Sequence, residues 1–185
     1  MEDKTMATLI VTIVIAIIGF VVKYVNDVAV ARRKDKLERV NLQLKNLYGP
    51  LYAMSESSKI AWKKFRSKYR PTGSFFGTST PPSLEDLKAW RLWMSEVFMP
   101  LNLKKEKTIV ENGDLIIEKE MPQCFIEFCA HVAAYKPVIK KWESGDYSEY
   151  LSANNFPVEF DKYVKKSYET LKDEQSNLLN SLKII

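Results

Sequence analysis

Residues 5–22 read TMATLIVTIVIAIIGFVV, and none of these 18 side chains carries a charge. An α-helix rises ~1.5 Å per residue, so the segment extends over roughly 27 Å. Tyr24 and Val25 lengthen it to about the ~30 Å of a bilayer's hydrocarbon layer, because the Lys23 side chain can reach out to the interface. The sequence therefore predicts a transmembrane helix over residues 5–25 and a separate helical domain over residues 26–185.

A cleaved signal peptide is the alternative interpretation, because Ala29 and Ala31 form an A-x-A pattern. The residues before the apolar run, Glu2-Asp3-Lys4, lack the positive charge of a signal peptide, which favours an uncleaved anchor. One lysine precedes the apolar segment, whereas six cations follow it: Lys23, Arg32, Arg33, Lys34, Lys36 and Arg39. Since cations near a membrane span stay on the cytoplasmic side, we expect the N-terminus outside and the domain inside.

Small and polar residues of the predicted span fall on one face when each residue is rotated by ~100°. In membranes such residues mark helix–helix contacts, because close packing and hydrogen bonds drive association there. The face predicts a homo-oligomer in contact with lipid and, around an axis, a narrow polar passage. The alternative is that each threonine bonds its own backbone and the pattern is accidental. The predicted contact or pore-lining residues are Thr5, Thr8, Thr12, Ala16, Gly19, Lys23 and Asn26.

Composition excludes several classes of protein. With 185 residues and 46% hydrophobic residues the chain suits one compact domain, not a large multidomain enzyme or a disordered chain. The net charge of +5 fits an anionic membrane surface or nucleic acid without choosing between them. Cys124 and Cys129 are too few for a disulfide scaffold, and one histidine cannot complete a structural zinc site. We therefore expect no metal and no cofactor.

Helical spacing of apolar residues continues after the predicted span, from Leu37 to Leu51. Gly49-Pro50 predicts a kink or restart there, because proline removes a hydrogen bond and clashes with the preceding turn. Ser83 and Asp86 form a capping box that starts another helix, which ends near Asn112.

Two more helices are predicted in the C-terminal half, from Pro122 to Gly145 and from Phe160 almost to the terminus. Residues 108–118, around an Asn-Gly pair, are the one place where two short strands are considered. The fold class is therefore all-α, with one transmembrane helix followed by a bundle of about five helices.

Glu127, His131 and Tyr135 are spaced four residues apart, so they share one edge of a helix. A carboxylate beside a histidine can orient a general base, but this edge offers no nucleophile and no metal set. We favour a half-buried histidine satisfied by its neighbours, and we predict no enzymatic activity.

A basic segment interleaves cations with Trp62, Phe65 and Tyr69, which is typical of surfaces that stack on RNA. The aromatic residues also have the spacing of a helix core face, so a solvated basic face is the favoured interpretation. RNA and anionic lipid remain the alternatives. The candidate contacts are Lys59, Lys63, Lys64 and Arg66.

Several short segments resemble a family of small bacterial single-pass membrane proteins with a divergent HEPN-like helical domain. These segments are Leu47-Tyr48-Gly49-Pro50-Leu51, Val97-Phe98-Met99-Pro100-Leu101-Asn102, Glu120-Met121-Pro122, His131-Val132-Ala133-Ala134-Tyr135 and Asn155-Phe156-Pro157. Within that family the chain is similar to the membrane accessory proteins of type VI-B CRISPR systems.

The resemblance implies a homo-oligomeric pore in the bacterial inner membrane. It implies that the pore strengthens antiphage defence by depolarising the membrane, with an RNA-guided CRISPR effector as partner. HEPN ribonucleases have an arginine that is separated from their histidine by four to six intervening residues, but here Cys124, Phe125 and Ile126 occupy the positions of that arginine before His131. A non-conducting tether for a cytosolic protein or RNA is the first alternative, and a membrane-bound ribonuclease is the second.

Overall fold

The described part of the chain consists of helices and the loops that connect them, without strands. The computed structural model describes residues 2–77 and 81–183, and their side chains from residue 6 to residue 182. Six α-helices are present in these ranges: α1 (Glu2–Leu42), α2 (Gly49–Tyr69), α3 (Leu84–Trp93), α4 (Met99–Glu111), α5 (Gln123–Glu143) and α6 (Val158–Lys183). Two π-helical turns, π1 (Gln43–Tyr48) and π2 (Met94–Phe98), join α1 to α2 and α3 to α4. Residues 2–69 and 84–111 are therefore continuously helical, and the described residues contain four helical segments.

The two π turns explain why Pro50 and Pro100 do not interrupt their helices, although the sequence predicted a kink or restart at Gly49-Pro50. A proline ring inside an α-helix clashes with the carbonyl group four residues earlier. In both turns the residue before the proline bonds the carbonyl group five residues earlier, where an α-helix would use the one four residues earlier. Gly49 N–H donates to Leu44 O, and Met99 N–H donates to Met94 O. The wider turn accommodates the ring, so the helix continues.

Other predicted boundaries are confirmed. The Ser83 side chain accepts a hydrogen bond from Asp86 N at 3.1 Å, and Ser83 N donates to Asp86 Oδ2 at 2.9 Å, which is the predicted capping box. Helix α4 ends at Glu111, beside the predicted Asn112. The strands considered for residues 108–118 do not form, because α4 occupies the first part and a 3₁₀ turn (Gly113–Leu115) the second.

The chain divides into two compact units. The first contains residues 1–41 and 173–185, and its two helical parts are joined by polar contacts near the end of α1. Lys36 Nζ lies 2.5 Å from Glu174 Oε1, and Gln175 Nε2 donates to Asn41 Oδ1 at 2.6 Å. In this unit α1 has the one stretch among the described residues that is long and apolar enough to cross a membrane.

The second unit, residues 42–172, contains an aromatic core. Phe65 is fully buried, and its ring lies within 6.3 Å of the rings of Trp90 and Phe98. A second aromatic group lies between α5 and α6, where the rings of Phe128 and Phe160 stack at 4.1 Å. Helix α4 packs against both α2, which carries Phe65, and α5, which carries Phe128.

The connector between α5 and α6, residues 144–157, is held to the rest of the second unit by side chains that form hydrogen bonds with its backbone. Trp90 Nε1 donates to Tyr150 O at 2.8 Å, and Trp142 Nε1 donates to Glu149 O at 2.7 Å. His131 Nδ1 lies 2.8 Å from Asn154 O. Because each bond satisfies a carbonyl group of an irregular segment, the connector has a defined path over α5.

Candidate functional site

The polar face of α1 is exposed along its described length. Thr8, Thr12, Ala16, Gly19, Lys23 and Asn26 are all exposed, whereas the side chain of Thr5 lies outside the described residues. Thr12 Oγ1 donates to Thr8 O at 2.9 Å, so this hydroxyl group is satisfied by its own helix. A Cβ atom at Gly19 would have no neighbour within 4 Å, so the surface is open there. The described structure thus presents a ridge of small and polar side chains on α1, which consists of Thr8, Thr12, Ala16, Gly19, Lys23 and Asn26.

Of the three residues predicted on the edge of α5, the structure brings together His131 and Tyr135. Their rings lie 5.1 Å apart and both side chains are buried. Glu127 is exposed and accepts a hydrogen bond from Gln123 Nε2 at 3.2 Å. The carboxylate therefore does not orient the histidine, which has a backbone carbonyl group as its partner instead.

The His131 ring is neutral near pH 7. Burial lowers its pKa from 6.5, and the backbone carbonyl groups of Asn154 and Asn155 oppose this effect only in part. Since Asn154 O can only accept, the proton of the neutral ring is assigned to Nδ1. Burial also raises the pKa of Tyr135 to about 12, so its hydroxyl group stays protonated. These groups hold the connector in place and offer no charged acid or base to solvent.

Sequence reasoning missed Lys105, which is fully buried in the second unit. Its ammonium group donates to Ser58 Oγ at 3.0 Å. Three aromatic rings surround the same nitrogen: those of Phe128, Phe160 and Phe156 have centroids 5.7, 5.9 and 6.0 Å away. Such rings stabilise a desolvated cation through their negative faces. The signal was present in the sequence, because Phe98, Asn102, Lys105 and Ile109 continue one helical stripe.

The electrostatic environment of Lys105 is unfavourable for its charge. Burial lowers its pKa to about 8; the negative charge of Asp161 opposes this shift, and the positive charge of Lys59 adds to it. Ser55 Oγ and Asp161 Oδ1 are buried in the same unit and make no hydrogen bond with the described residues. Buried polar atoms without partners cost stability, so these two atoms lower the stability of the second unit.

The described residues contain no group of three or more His, Cys, Asp and Glu side chains that could hold a metal ion. Burial raises the pKa of Cys124 to about 11 and also raises that of Cys129. Thiols of this kind remain protonated near pH 7 and are poor nucleophiles. The two cysteines are therefore half-buried, protonated thiols.

The basic segment of α2 is divided between surface and core. Lys63 and Lys64 are exposed, and Lys59 pairs with Glu56 at 2.7 Å. Arg66 instead holds the loop that follows α2: Nε donates to Arg70 O at 3.1 Å, and an Nη atom donates to Gly73 O. Phe65 is buried in the core, and the half-buried rings of Trp62 and Tyr69 contact it, which fits the core spacing of the three residues. Arg66 thus holds a loop, and the exposed lysines stay candidate contacts for RNA or anionic lipid.

Replacing Arg66 by glutamine is expected to loosen residues 70–77, because both backbone carbonyl groups lose a charged donor. Amide hydrogen exchange of the full chain in detergent measures this as faster exchange in peptides from residues 71–77. The matched control is Lys64→Gln, which removes an exposed charge from the same helix and should leave the exchange unchanged. Equal exchange in both variants would contradict the structural role of Arg66.

The resemblance of the five short segments to a membrane protein family stays a prediction. Comparison with protein-family models, with curated proteins and with solved structures gave no significant match.

Proposed function

We propose that the chain is a single-pass membrane protein that assembles through the ridge of α1 into an oligomeric conduit. The observation that carries the proposal is that the apolar window of α1 is entirely unburied within the chain. Surface of this kind is costly in water, whereas lipid chains and neighbouring helices cover it. The helical domain then lies on the cytoplasmic side, because most of the flanking cations follow the span.

The ridge supports self-association for a steric reason. Ala16 and Gly19 project little beyond the backbone, so two helices can approach closely there and gain van der Waals contacts. A helix of the same chain cannot supply the partner surface, since α1 is the one candidate span among the described residues. Copies arranged around an axis would line a passage with Thr8 and Thr12 and place Lys23 and Asn26 at its cytoplasmic end.

The resemblance extends the proposal to antiphage defence, with depolarisation of the bacterial inner membrane as the effect and an RNA-guided CRISPR effector as partner. Ribonuclease activity is the weaker alternative for the domain. His131 is neutral and bonded to a backbone carbonyl group. Lys105 is the cation whose charge acts on this ring, and it is buried away from solvent. We therefore propose a role in the membrane and no catalysis.

A non-conducting membrane tether is the second candidate. The hydrogen bond from Thr12 Oγ1 to Thr8 O favours it, because a hydroxyl group that bonds its own helix needs no partner helix. In that case the helical domain recruits a cytosolic protein or RNA and the span only anchors it.

The triple substitution Thr12→Leu, Ala16→Leu and Gly19→Leu is expected to separate the two candidates. Bulky side chains on the ridge should hold the helices apart, so the oligomer dissociates and conduction is lost. The measurements are the mass of the particle in detergent, in multiples of 21.4 kDa, and dye leakage from liposomes. The matched control is Val14→Leu, Ile17→Leu and Val21→Leu on the opposite face, which should behave as the wild type.

A wild-type particle of one subunit without leakage would overturn the conduit. Leakage at the wild-type rate from the ridge variant would overturn the ridge as the contact surface. A wild type that stays in the membrane, does not leak and still recruits a cytosolic partner would establish the tether.

A further inference from the structure

The cations that follow the apolar part of α1 differ in their partners. Lys36 pairs with Glu174, and Arg39 has an interaction of its own. Arg32, Arg33 and Lys34 are exposed and take part in none of the ion pairs among the described residues. These three residues are called the juxtamembrane cation cluster below.

The positive charge of residues 28–37 is offset by few acidic side chains. Residues 28–31 are Val-Ala-Val-Ala, and Asp35 is the one acidic residue in residues 28–37. Residues 32–35 hold three cations and one carboxylate, so their net charge is +2, and the charge of Lys36 is paired with that of Glu174. Consecutive residues of an α-helix are rotated by ~100°, so Arg32, Arg33 and Lys34 point in three directions around the axis. The cluster therefore surrounds α1 at one level and does not form a stripe along it.

The distance along the helix places the cluster within side-chain reach of the lipid headgroups. If residues 5–25 occupy the hydrocarbon layer, Arg32 follows its edge by seven residues and Lys34 by nine, which is about 10 to 14 Å at ~1.5 Å per residue. Side chains of an α-helix lean towards its N-terminus. For Arg32, Arg33 and Lys34 this direction leads back towards the bilayer, so their charged ends lie closer to it than their Cα atoms.

We propose that the juxtamembrane cation cluster binds the phosphate groups of anionic phospholipids. The inference rests on the proposed membrane anchor and names its lipid partner. Arginine forms paired hydrogen bonds with phosphate oxygens, and lysine adds a point charge. Zwitterionic lipids carry their own cation and gain less from this surface. The cluster thus selects the lipids around the protein.

The test uses full-length protein in mild detergent with equimolar phosphatidylglycerol and phosphatidylcholine, and native mass spectrometry counts the bound lipids. The wild type should retain phosphatidylglycerol preferentially. Each basic residue near a membrane surface changes binding by about fivefold, so Arg32→Gln, Arg33→Gln and Lys34→Gln together should lower the preference at least ~10-fold. The matched control removes three exposed lysines of the second unit, Lys63→Gln, Lys64→Gln and Lys104→Gln, and should keep the preference.

Equal retention of the two lipids by the wild type would overturn the inference. An equal loss of preference in both triple variants would overturn it as well, because net charge and not the cluster would then be responsible. Displacement of phosphatidylglycerol by an added RNA oligonucleotide would assign the cluster to nucleic acid instead. Failure of the proposed anchor is measured separately, as release of the wild type from membranes by alkaline carbonate.

Discussion

Replacing Gly49 by alanine is expected to destabilise the second unit by about 3 kcal/mol or more. A Cβ atom at this position would lie far inside contact distance of the Leu44 carbonyl oxygen, and a backbone atom cannot move aside cheaply. Relief of the clash requires the π turn to return to α-helical spacing. Pro50 would then meet the carbonyl group four residues before it, so either arrangement costs energy.

The measurement is the melting temperature of the full chain in detergent, which should fall by roughly 6 to 12 °C. Gly113→Ala is the matched control, because a Cβ atom there meets only Met121 Cε at 3.8 Å, an ordinary contact. Pro50→Ala keeps glycine beside the Leu44 carbonyl oxygen and should stay much closer to the wild type, because it adds no clash there. A Gly49→Ala variant that melts within 1 °C of the wild type would contradict this account of π1, and one that cannot be isolated folded would agree with it if Pro50→Ala folds.

The second large effect concerns the pH dependence of stability at Lys105. Its pKa is about 8 in the folded protein and 10.5 as the ordinary value, so the unfolded chain binds more protons between these limits. Stability from this group therefore rises with pH through the window, because folding no longer has to bury a charge. The rise between pH 7.5 and pH 10 amounts to about 2 kcal/mol.

Lys105→Met should remove this rise. Between pH 7.5 and pH 10 the melting temperature of the wild type should therefore increase by roughly 5 °C more than that of the variant. Asp161, Lys59 and His131 are the other titratable groups whose charges act on this centre, and they are common to both proteins. The control Lys104→Met alters an exposed neighbour and should run parallel to the wild type. Parallel curves for Lys105→Met and the wild type would show that the Lys105 ammonium group is hydrated in the folded state.

Local signals predicted the parts of the fold that depend on neighbouring residues. The Ser83–Asp86 capping box, the end of α4 beside Asn112 and the apolar α1 all follow from residues a few positions apart. The effect of Pro50 did not follow, because a π turn can absorb the ring and sequence rules assume α-helical spacing. The helix continues through Pro50 because the π turn that precedes it leaves room for the proline ring.

The candidate site was harder to predict than the fold, because its partners come from different elements. His131 bonds the backbone of Asn154 and not the side chain of Glu127, although Glu127 is four residues away on the same helix. Lys105 stands in a charged run, so composition suggested the surface while its position in the helical stripe indicated the core. The stripe gave the correct answer, since burial follows the face of a helix and not the polarity of adjacent residues.

The π2 turn has a further consequence for how this sequence can change. A π turn holds one more residue than the α-helical turn it replaces. Deleting a single residue within Met94–Phe98 would let the turn become α-helical and keep the orientation of α4, but Pro100 would then meet the carbonyl group four residues before it. The same deletion inside α4, before Lys105, would instead rotate that side chain by about 100° out of its aromatic surroundings. A change of chain length at π2 therefore costs one proline contact, whereas the same change inside α4 exchanges the side chains of the core.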